Sequence, residues 1–255
     1  MRLGFIGTGT ITRAVVTGLI HVGAPFEHIC LSPRNADVGI ALAALDPRIS
    51  VCGTNQQVLD ASDVVCLAVV PTIAPEVLGA LEFEARHHVV SFIAGVSLAA
   101  LQRMVGAADA IVRAVPLPAV AAGMGSTAIC PPDEITRRLF SWLGTPVEVS
   151  DERKFDALSA VTATMASFYA VLDTQAEWLV QQGIDHDSAR AYLGGYCRGL
   201  AHETSESGAS FSALVAASMT PGGINEQLHN ELSVKGTYSH YREALDHVLR
   251  RVEGR

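Results

Sequence analysis

Charge is scarce in this chain of 255 residues: charged side chains make up 17% and aromatic ones 6%, against 49% hydrophobic, and the mean hydropathy is +0.29. So apolar a chain is not disordered, because disorder needs low hydrophobicity with high charge. Basic residues are the scarcer sign, 18 Lys+Arg against 26 Asp+Glu for a net charge of −8, and the lysines are Lys154 and Lys235 alone. With a pI near 5.5 and no basic cluster, neither nucleic acid nor an anionic membrane surface is expected as a partner. Long unbroken apolar runs are missing too. A spanning helix needs about 20 of them. The charge-free stretches 114–132, 157–172 and 207–225 are interrupted by prolines and glycines, by Ser159, Thr162, Thr164 and Ser167, and by Pro221-Gly222-Gly223. No membrane span is expected. The first residues run straight into a strand and Gly7, without the apolar core and cleavage site of a secretory signal. The five cysteines are odd in number and hold no Cys-x-x-Cys, which fits reduced thiols of a cytoplasmic protein. The nine histidines form no zinc-type spacing, so no metal is expected.

What is present is alternation. Up to residue 150, β-rich runs at 2–6, 28–32, 49–52, 63–69, 88–93, 110–113, 126–130 and 146–149 alternate with helical patterns. These lie at 11–22, 37–45, 55–61, 74–81, 98–105 and 132–143. The runs 64–69 and 89–93 are nearly continuous in apolar residues, as strands buried on both faces should be. The pattern predicts an α/β fold, a doubly wound, mostly parallel sheet of Rossmann type over residues 1–150.

Residues 151–255 show helical periodicity only, at 154–182, 186–204, 210–218, 223–234 and 239–253, which predicts an all-α second domain. Gly183 and Gly208 follow helical runs as C′ caps would. The run before Gly183 is about eight turns long and awkward to bury within a domain of roughly 100 residues. Either it packs on the first domain or it forms the spine of an interlocked homodimer. The homodimer is the reading carried forward.

Gly7-Thr8-Gly9-Thr10-Ile11-Thr12 closes the first strand and opens the first helix. Alone, a G-x-G-x-x-[G/A] string says little. At the first strand-to-helix turn of a βαβ unit, its glycines let the backbone approach a diphosphate at a helix N-terminus. Gly7, Thr8, Gly9, Thr10 and Ile11 are therefore expected to cradle a dinucleotide. Thr12 replaces the usual third Gly or Ala, and its γ-branch is expected to crowd the sheet slightly. The second strand ends in Ser32-Pro33-Arg34-Asn35, where an NAD site would offer an acid to the ribose 2′-hydroxyl. Ser32 and Arg34, with Asn35 beside them, suit a 2′-phosphate, so NADP(H) is expected over NAD(H). Val69, Pro71, Ala94 and Gly95 lie past the carboxyl ends of the fourth and fifth strands, where such sheets bind ligands. They either line the nicotinamide path or simply end their strands.

Several segments resemble the pyrroline-5-carboxylate reductases in order and spacing. They are Gly4-Phe5-Ile6-Gly7-Thr8-Gly9, Leu67-Ala68-Val69-Val70-Pro71, Ser91-Phe92-Ile93-Ala94-Gly95-Val96, Val112-Arg113-Ala114-Val115-Pro116, Gly123-x-Gly125-x-Thr127 and Thr220-Pro221-Gly222-Gly223. The resemblance covers nearly the whole chain. It implies a reductase carrying hydride from NAD(P)H to the C=N carbon of a cyclic imine, by default 1-pyrroline-5-carboxylate to L-proline. It also implies a helical domain that builds a dimer, with each active site near the subunit boundary. The chain departs from the family at Pro116-Leu117-Pro118-Ala119, where Pro-Asn-Thr-Pro is usual, and at Val70, where Lys is usual. Residues 161–167 stand in for a Ser-Gly-Ser-Gly-Pro-Ala-Tyr run, and Ile224-Asn225 for Thr-Thr. Another cyclic imine, with an isomeric carboxylate or none, and a non-catalytic NADP(H) sensor are the alternatives. The β-hydroxyacid dehydrogenases share the architecture, but neither Lys154 nor Lys235 sits in their Asn-x-x-x-Lys pattern.

Reducing an imine requires the reactive ring near the C=N carbon, a proton for nitrogen, and a hold on the rest of the substrate. Pro221-Gly222-Gly223 opens a helix, so N–H groups at Gly222, Gly223 and Ile224 are expected to hold a carboxylate. Thr220 is placed to hydrogen-bond the substrate or relay a proton, and Asn225 keeps a hydrogen-bonding side chain. Glu226 is expected in solvent, supporting the helix dipole; turned inward it would repel a carboxylate and favour a neutral or cationic imine. Tyr169, Asp173 and Glu177 recur every four residues and share a helix face. Tyr169 and Asp173 are candidate proton donors, and Glu177 reads as a solvated or intersubunit group. Trp142 and Trp178 are expected in the core or the dimer contact.

Overall fold

The near-continuous apolar runs pair into one eight-stranded sheet: β1 (Arg2–Ile6), β2 (His28–Leu31), β3 (Ile49–Val51), β4 (Val64–Leu67), β5 (His88–Ser91), β6 (Ala110–Pro116), β7 (Gly125–Cys130) and β8 (Gly144–Glu148). The computed structural model describes residues 1–254. Strand order is β3-β2-β1-β4-β5-β6-β7-β8. The first six strands are parallel, β7 runs antiparallel to β6, and β8 is parallel to β7. The mostly parallel, doubly wound sheet is thus as expected. β6 continues three residues past the expected end because Ala114, Val115 and Pro116 pair with Ile129, Ala128 and Thr127 of the returning β7. Order reverses between β1 and β4, which opens a crevice at their carboxyl ends.

Alternation along the strands feeds two cores. Leu3 and Phe5 of β1 join Val15 and Leu19 of α1 (Thr10–His21) and Phe140 of α6 (Glu134–Ser141) on one face. Ile6 joins Leu59 of α3 (Asn55–Asp60), Leu78 of α4 (Ala74–Gly79) and Leu101 of α5 (Leu98–Val105) on the other. Each fully buried side chain of this size stabilises the fold by about 1.5–3 kcal/mol. α2 (Ala36–Ala43) follows β2. All five cysteines are free, and burial pushes the Cys66 thiol far up, leaving it inert.

Beyond Glu148 the chain is helical: α7 (Glu152–Val161), α8 (Thr164–Gln181), α9 (His186–Glu206), α10 (Phe211–Ser218), α11 (Ile224–Val234) and α12 (Thr237–Val252). The single eight-turn helix expected over 154–182 is two helices. Thr164 donates its hydroxyl to the Val161 carbonyl at 2.7 Å, and Met165 N–H reaches Thr162 O at 3.3 Å, three residues back. A side-chain donor and a tighter turn thus replace the regular ladder. Gly183 caps α8 with φ +92 as expected. Gly208 does not cap α9 in the left-handed region, since Ser207 ends that helix in an extended conformation. By length and composition the run Glu152–Gln181 is apolar enough to cross a membrane, which the sequence reading did not anticipate.

Contacts divide the chain into two compact units, Met1–Ala160 joined by the chain's end from Leu249, and Val161–Val248. α7 stays with the sheet unit, where Phe155 and Ala160 are buried. In the helical unit Ala189 and Leu193 are the buried apolar side chains among the described residues, while Phe168, Trp178, Tyr192 and Phe211 are exposed.

On the first unit, the Asp133 carboxylate caps α6 at Thr136 N–H (2.7 Å) and pairs with His88 Nε2 (3.0 Å). Burial works against its charge, but the His88 and Thr136 hydrogen bonds outweigh burial and bring it from 3.8 to about 2. A carboxyl depressed in the folded state stabilises fully above its unfolded value and loses that contribution as pH falls through the folded one. Asp133→Ala should lower stability by about 1–2 kcal/mol at neutral pH. That deficit should narrow between pH 4 and about 2. Urea denaturation of both chains across that range checks it.

Candidate active site

The turn from β1 into α1 sits at the crevice. Gly7 has φ +103, and a Cβ there would stand 2.6 Å from the Ala68 carbonyl oxygen at the end of β4, so only glycine fits. α1 starts at Gly9 with no side-chain cap and no acid in its first turn. Most other described helix starts that follow an extended residue carry caps: Thr54, Ser97, Asp133, Asp185 and Ser210 serve α3, α5, α6, α9 and α10. The first-turn N–H groups of α1, including those of Thr10 and Ile11, therefore keep their capacity for an anion, reinforced by the helix dipole. Beyond Gly9 itself and its two chain neighbours, no heavy atom lies within 4 Å of where a Gly9 Cβ would stand. In front of the turn is a cavity of about 190 Å³ lined by Gly7, Thr8, Gly9, Arg34, Asn35, Ala68, Val69, Val70 and Ile73. A diphosphate fits this donor set and open backbone.

Beneath the loop is a buried hydroxyl network. Gly7 N–H donates to Ser32 Oγ at 2.9 Å, and Thr8 Oγ1 donates to Ser32 O at 2.8 Å. With the Thr8 proton so used, the 2.9 Å contact between the two hydroxyls has Ser32 as donor. Ser32 is 1% exposed. It props the loop from below, a place different from the 2′-phosphate contact expected of it. Thr12 does not crowd the sheet either: fully buried, it donates its hydroxyl to Gly7 O at 2.6 Å. Asn35, at φ +66, donates Nδ2 to Thr8 O at 3.1 Å. Arg34 stands exposed at the cavity wall, with no ion pair among the described residues.

Pro71 and Gly95 come together in a second cavity of about 380 Å³, which Ser97, Arg113 and Asp156 also line. Val69 lines the first cavity instead, and Ala94 lies exposed beside Gly95. Arg113, a single charge within the apolar β6, went unassigned in the sequence reading. It is 3% exposed and holds Glu152 and Asp156 at 2.8 and 3.0 Å.

In the helical unit, Tyr169 and Asp173 line a groove of about 600 Å³ between α8 and α9, with Phe168, Arg190 and Cys197. Glu177 and Trp178 are exposed on α8, and Trp142 packs on the first core. At the head of α11 the expected donors are partly engaged: Gly222 N–H donates to Glu226 Oε2 at 2.7 Å and Gly223 N–H to Thr220 O at 2.8 Å. Glu226 is thus bonded to the loop, half-buried, rather than standing in solvent. Asn225 donates Nδ2 to Ser218 O at 2.9 Å, and Ile224 is 85% exposed.

Residues 2–95 match the family described as NADP oxidoreductase, coenzyme F420-dependent, and residues 152–254 match pyrroline-5-carboxylate reductase dimerisation. A pyrroline-5-carboxylate reductase of Synechocystis is 34% identical over 183 residues, covering 68% of this chain and 67% of that protein. The chain belongs to the pyrroline-5-carboxylate reductase family. Two solved structures share the fold. The Streptococcus pyogenes 1-pyrroline-5-carboxylate reductase has a TM-score of 0.85 at 23% identity, covering 100% of this chain and 99% of that one. The Plasmodium falciparum pyrroline carboxylate reductase, solved with NADP bound, has a TM-score of 0.85 at 18% identity, covering 100% and 97%. The resemblance read from the motifs therefore holds. The dimerisation match of this pyrroline-5-carboxylate reductase family member begins at Glu152, the first residue of α7.

If Ser32 supports the loop rather than a phosphate, Ser32→Ala strands the buried Gly7 N–H and should cost about 1–3 kcal/mol in stability. NADPH and NADH should lose affinity by the same factor, a comparison that calorimetry of the variant against the parent chain supplies.

Proposed function

We propose that this chain is an NAD(P)H-dependent reductase of a cyclic imine, by default 1-pyrroline-5-carboxylate to L-proline. The observation that carries the reading is the uncapped glycine start of α1 at the β1/β4 crevice, in a chain of this family. Bound there, a nicotinamide dinucleotide supplies the hydride for the C=N carbon. Thr8, Gly9, Thr10 and Ile11 hold its diphosphate through backbone N–H groups, while Gly7, whose own N–H goes to Ser32, lets the chain approach it closely. Arg34, exposed and without an ion-pair partner among the described residues, takes the ribose 2′-phosphate, so NADP(H) is preferred, and Asn35 steadies the loop beside it. Val69, Pro71, Ala94 and Gly95 line the path of the reactive half. That the Plasmodium falciparum relative was solved with NADP supports the same cofactor class.

On the helical unit, Thr220 offers an exposed hydroxyl to the substrate. Asn225 keeps its Oδ1 as an acceptor while its amide is tied to Ser218 O. Tyr169 and Asp173 are further candidates for delivering the proton that the imine nitrogen takes up. The exposed aromatic and aliphatic surface of the unit is what a second copy would cover, so a homodimer through the C-terminal helices belongs to this reading. The free thiols fit a cytoplasmic enzyme.

One observation favours a second reading, an imine without a carboxylate. Glu226 already occupies the Gly222 N–H, and a substrate carboxylate at Gly222, Gly223 and Ile224 would have to displace it.

Following the loss of reduced-nicotinamide absorbance with 1-pyrroline-5-carboxylate and with 1-pyrroline tests both readings. Turnover of either imine is expected, and tight NADPH binding without turnover of any imine would make the chain a sensor. Thr220→Ala and Asn225→Ala should lower kcat; unchanged turnover in both would move the substrate groups elsewhere. Arg34→Ala should weaken NADPH by about ten- to a hundredfold, the worth of a charge-assisted hydrogen bond, and leave NADH nearly unchanged. Equal losses would end the 2′-phosphate assignment.

A further inference from the structure

The buried charge cluster behind the Gly95 turn has no part in the reading above. Arg113, on β6, is buried among apolar strands, where an unpaired guanidinium would be strongly destabilising. Both of its ion pairs among the described residues are with α7. Nη1 donates to Glu152 Oε1 at 2.8 Å, Nη2 donates to Asp156 Oδ1 at 3.0 Å, and its Cζ lies 4.4 Å from the Phe155 ring centre. The two carboxylates differ in one respect. Glu152 Oε1 also accepts the backbone N–H of Leu98, the first residue of α5, at 2.8 Å. One oxygen therefore joins the guanidinium to the positive end of α5, where Ser97 caps the Ala100 N–H. Ala94-Gly95-Val96, with Gly95 at φ +69, ends two residues before that N–H.

We infer that Glu152 is a positioning residue. Held by Arg113, it fixes the first turn of α5 and thereby the Ala94–Val96 turn against which the reactive half of the dinucleotide lies. Asp156 serves the charge balance of Arg113 and lines the cavity beside the turn, but does not hold the Leu98 N–H. The inference rests on the dinucleotide reading of the cleft.

Two matched variants of the full chain separate positioning from stability. Glu152→Ala and Asp156→Ala each remove one carboxylate from Arg113, but only the first releases the Leu98 N–H. The readouts are kcat on a cyclic imine, Kd for NADPH, and Kd for adenosine 2′,5′-bisphosphate, which carries the adenosine half alone. Glu152→Ala should lower kcat about tenfold and weaken NADPH severalfold, while the bisphosphate Kd stays within about twofold. Glu152→Gln, which still accepts the Leu98 N–H, should recover most of the loss. Asp156→Ala should lose comparable thermal stability, and because Asp156 lines the same cavity the comparison is made in double variants: Leu98→Pro should add its full kcat loss to Asp156→Ala and almost nothing to Glu152→Ala.

Should Glu152→Ala not fold, Leu98→Pro removes the same N–H and leaves the ion pair intact. Proline is tolerated at a first helical position, and Ser97 already has the extended backbone it requires, φ −72 and ψ 158. It should reproduce the kcat loss with the bisphosphate Kd unchanged. Additive losses in the Glu152→Ala/Leu98→Pro double variant, no recovery by Gln, or an unaltered Leu98→Pro enzyme would each overturn the assignment. A parent chain that binds neither NADPH nor the bisphosphate overturns the dinucleotide reading and this inference with it. A parent that binds both while the variants give any of those three results overturns this inference only.

Discussion

Everything at the crevice depends on the hydrogen bond from Gly7 N–H into the buried Ser32 hydroxyl. A glycine-rich loop is entropically costly to order, and its backbone groups can be offered to a ligand only if the loop holds its shape without using them up. Ser32, Thr8 and Thr12 do this from beneath, through hydroxyls that are themselves satisfied. Ser32 in turn is placed by β2, which pairs with β1 residue by residue up to Phe5 and Leu31. The pairing of the first two strands thus sets the geometry of the anion cradle, and the open donors of α1 follow from it.

The same division between support and presentation recurs at the second cavity. A guanidinium with five N–H donors needs several acceptors when buried; two carboxylates one helical turn apart on α7 take Nη1 and Nη2, and Nε is left buried without a partner. Placing those carboxylates ties β6, α5 and α7 together inside the sheet unit. That explains why α7 belongs with the sheet although it begins the segment matched by the dimerisation family. The strand-to-helix turn that presents Gly95 is thereby braced from behind, as the loop at Gly7 is braced from below.

The sheet was legible because its strands are nearly unbroken in apolar residues and separated by helical patterns, so that period and order both point to one topology. The glycine loop was legible for the same reason, its place between β1 and α1 giving the string its meaning. What escaped was the direction of short side chains. Ser32 follows the last paired residue of β2 in either interpretation, and only the burial of its hydroxyl under Gly7 decides between loop support and ligand contact. Thr12 looked like a crowded substitute for a small residue, yet its hydroxyl supplies a hydrogen bond that neither Gly nor Ala could. The continuous helix before Gly183 failed on a side chain as well, since periodicity cannot register that Thr164 bonds back to Val161. Arg113 carried a usable signal, one charge inside a buried strand, which demands partners somewhere in the chain.

The helical unit poses the opposite problem, an excess of apolar surface in place of a buried charge. Its aromatic side chains are spread along α8, α9, α10 and α12, with Phe168 and Tyr192 more than half exposed. Exposure on this scale is rarely left open to water, and the run Glu152–Gln181 passes a length-and-composition test for a bilayer. Two features argue for protein as the covering surface. The run is divided between the two compact units at Ala160–Val161, next to the break between α7 and α8, and Phe155 and Ala160 of its first turns are buried in the sheet unit. In addition, the groove between α8 and α9 carries Asp173 and Arg190 beside Phe168 and Leu172. Lipid offers such charges nothing, whereas a second copy of the chain can meet apolar side chains and charges alike. Charged groups within an apolar groove thus favour a protein cover over a lipid one, which the proposed homodimer would supply.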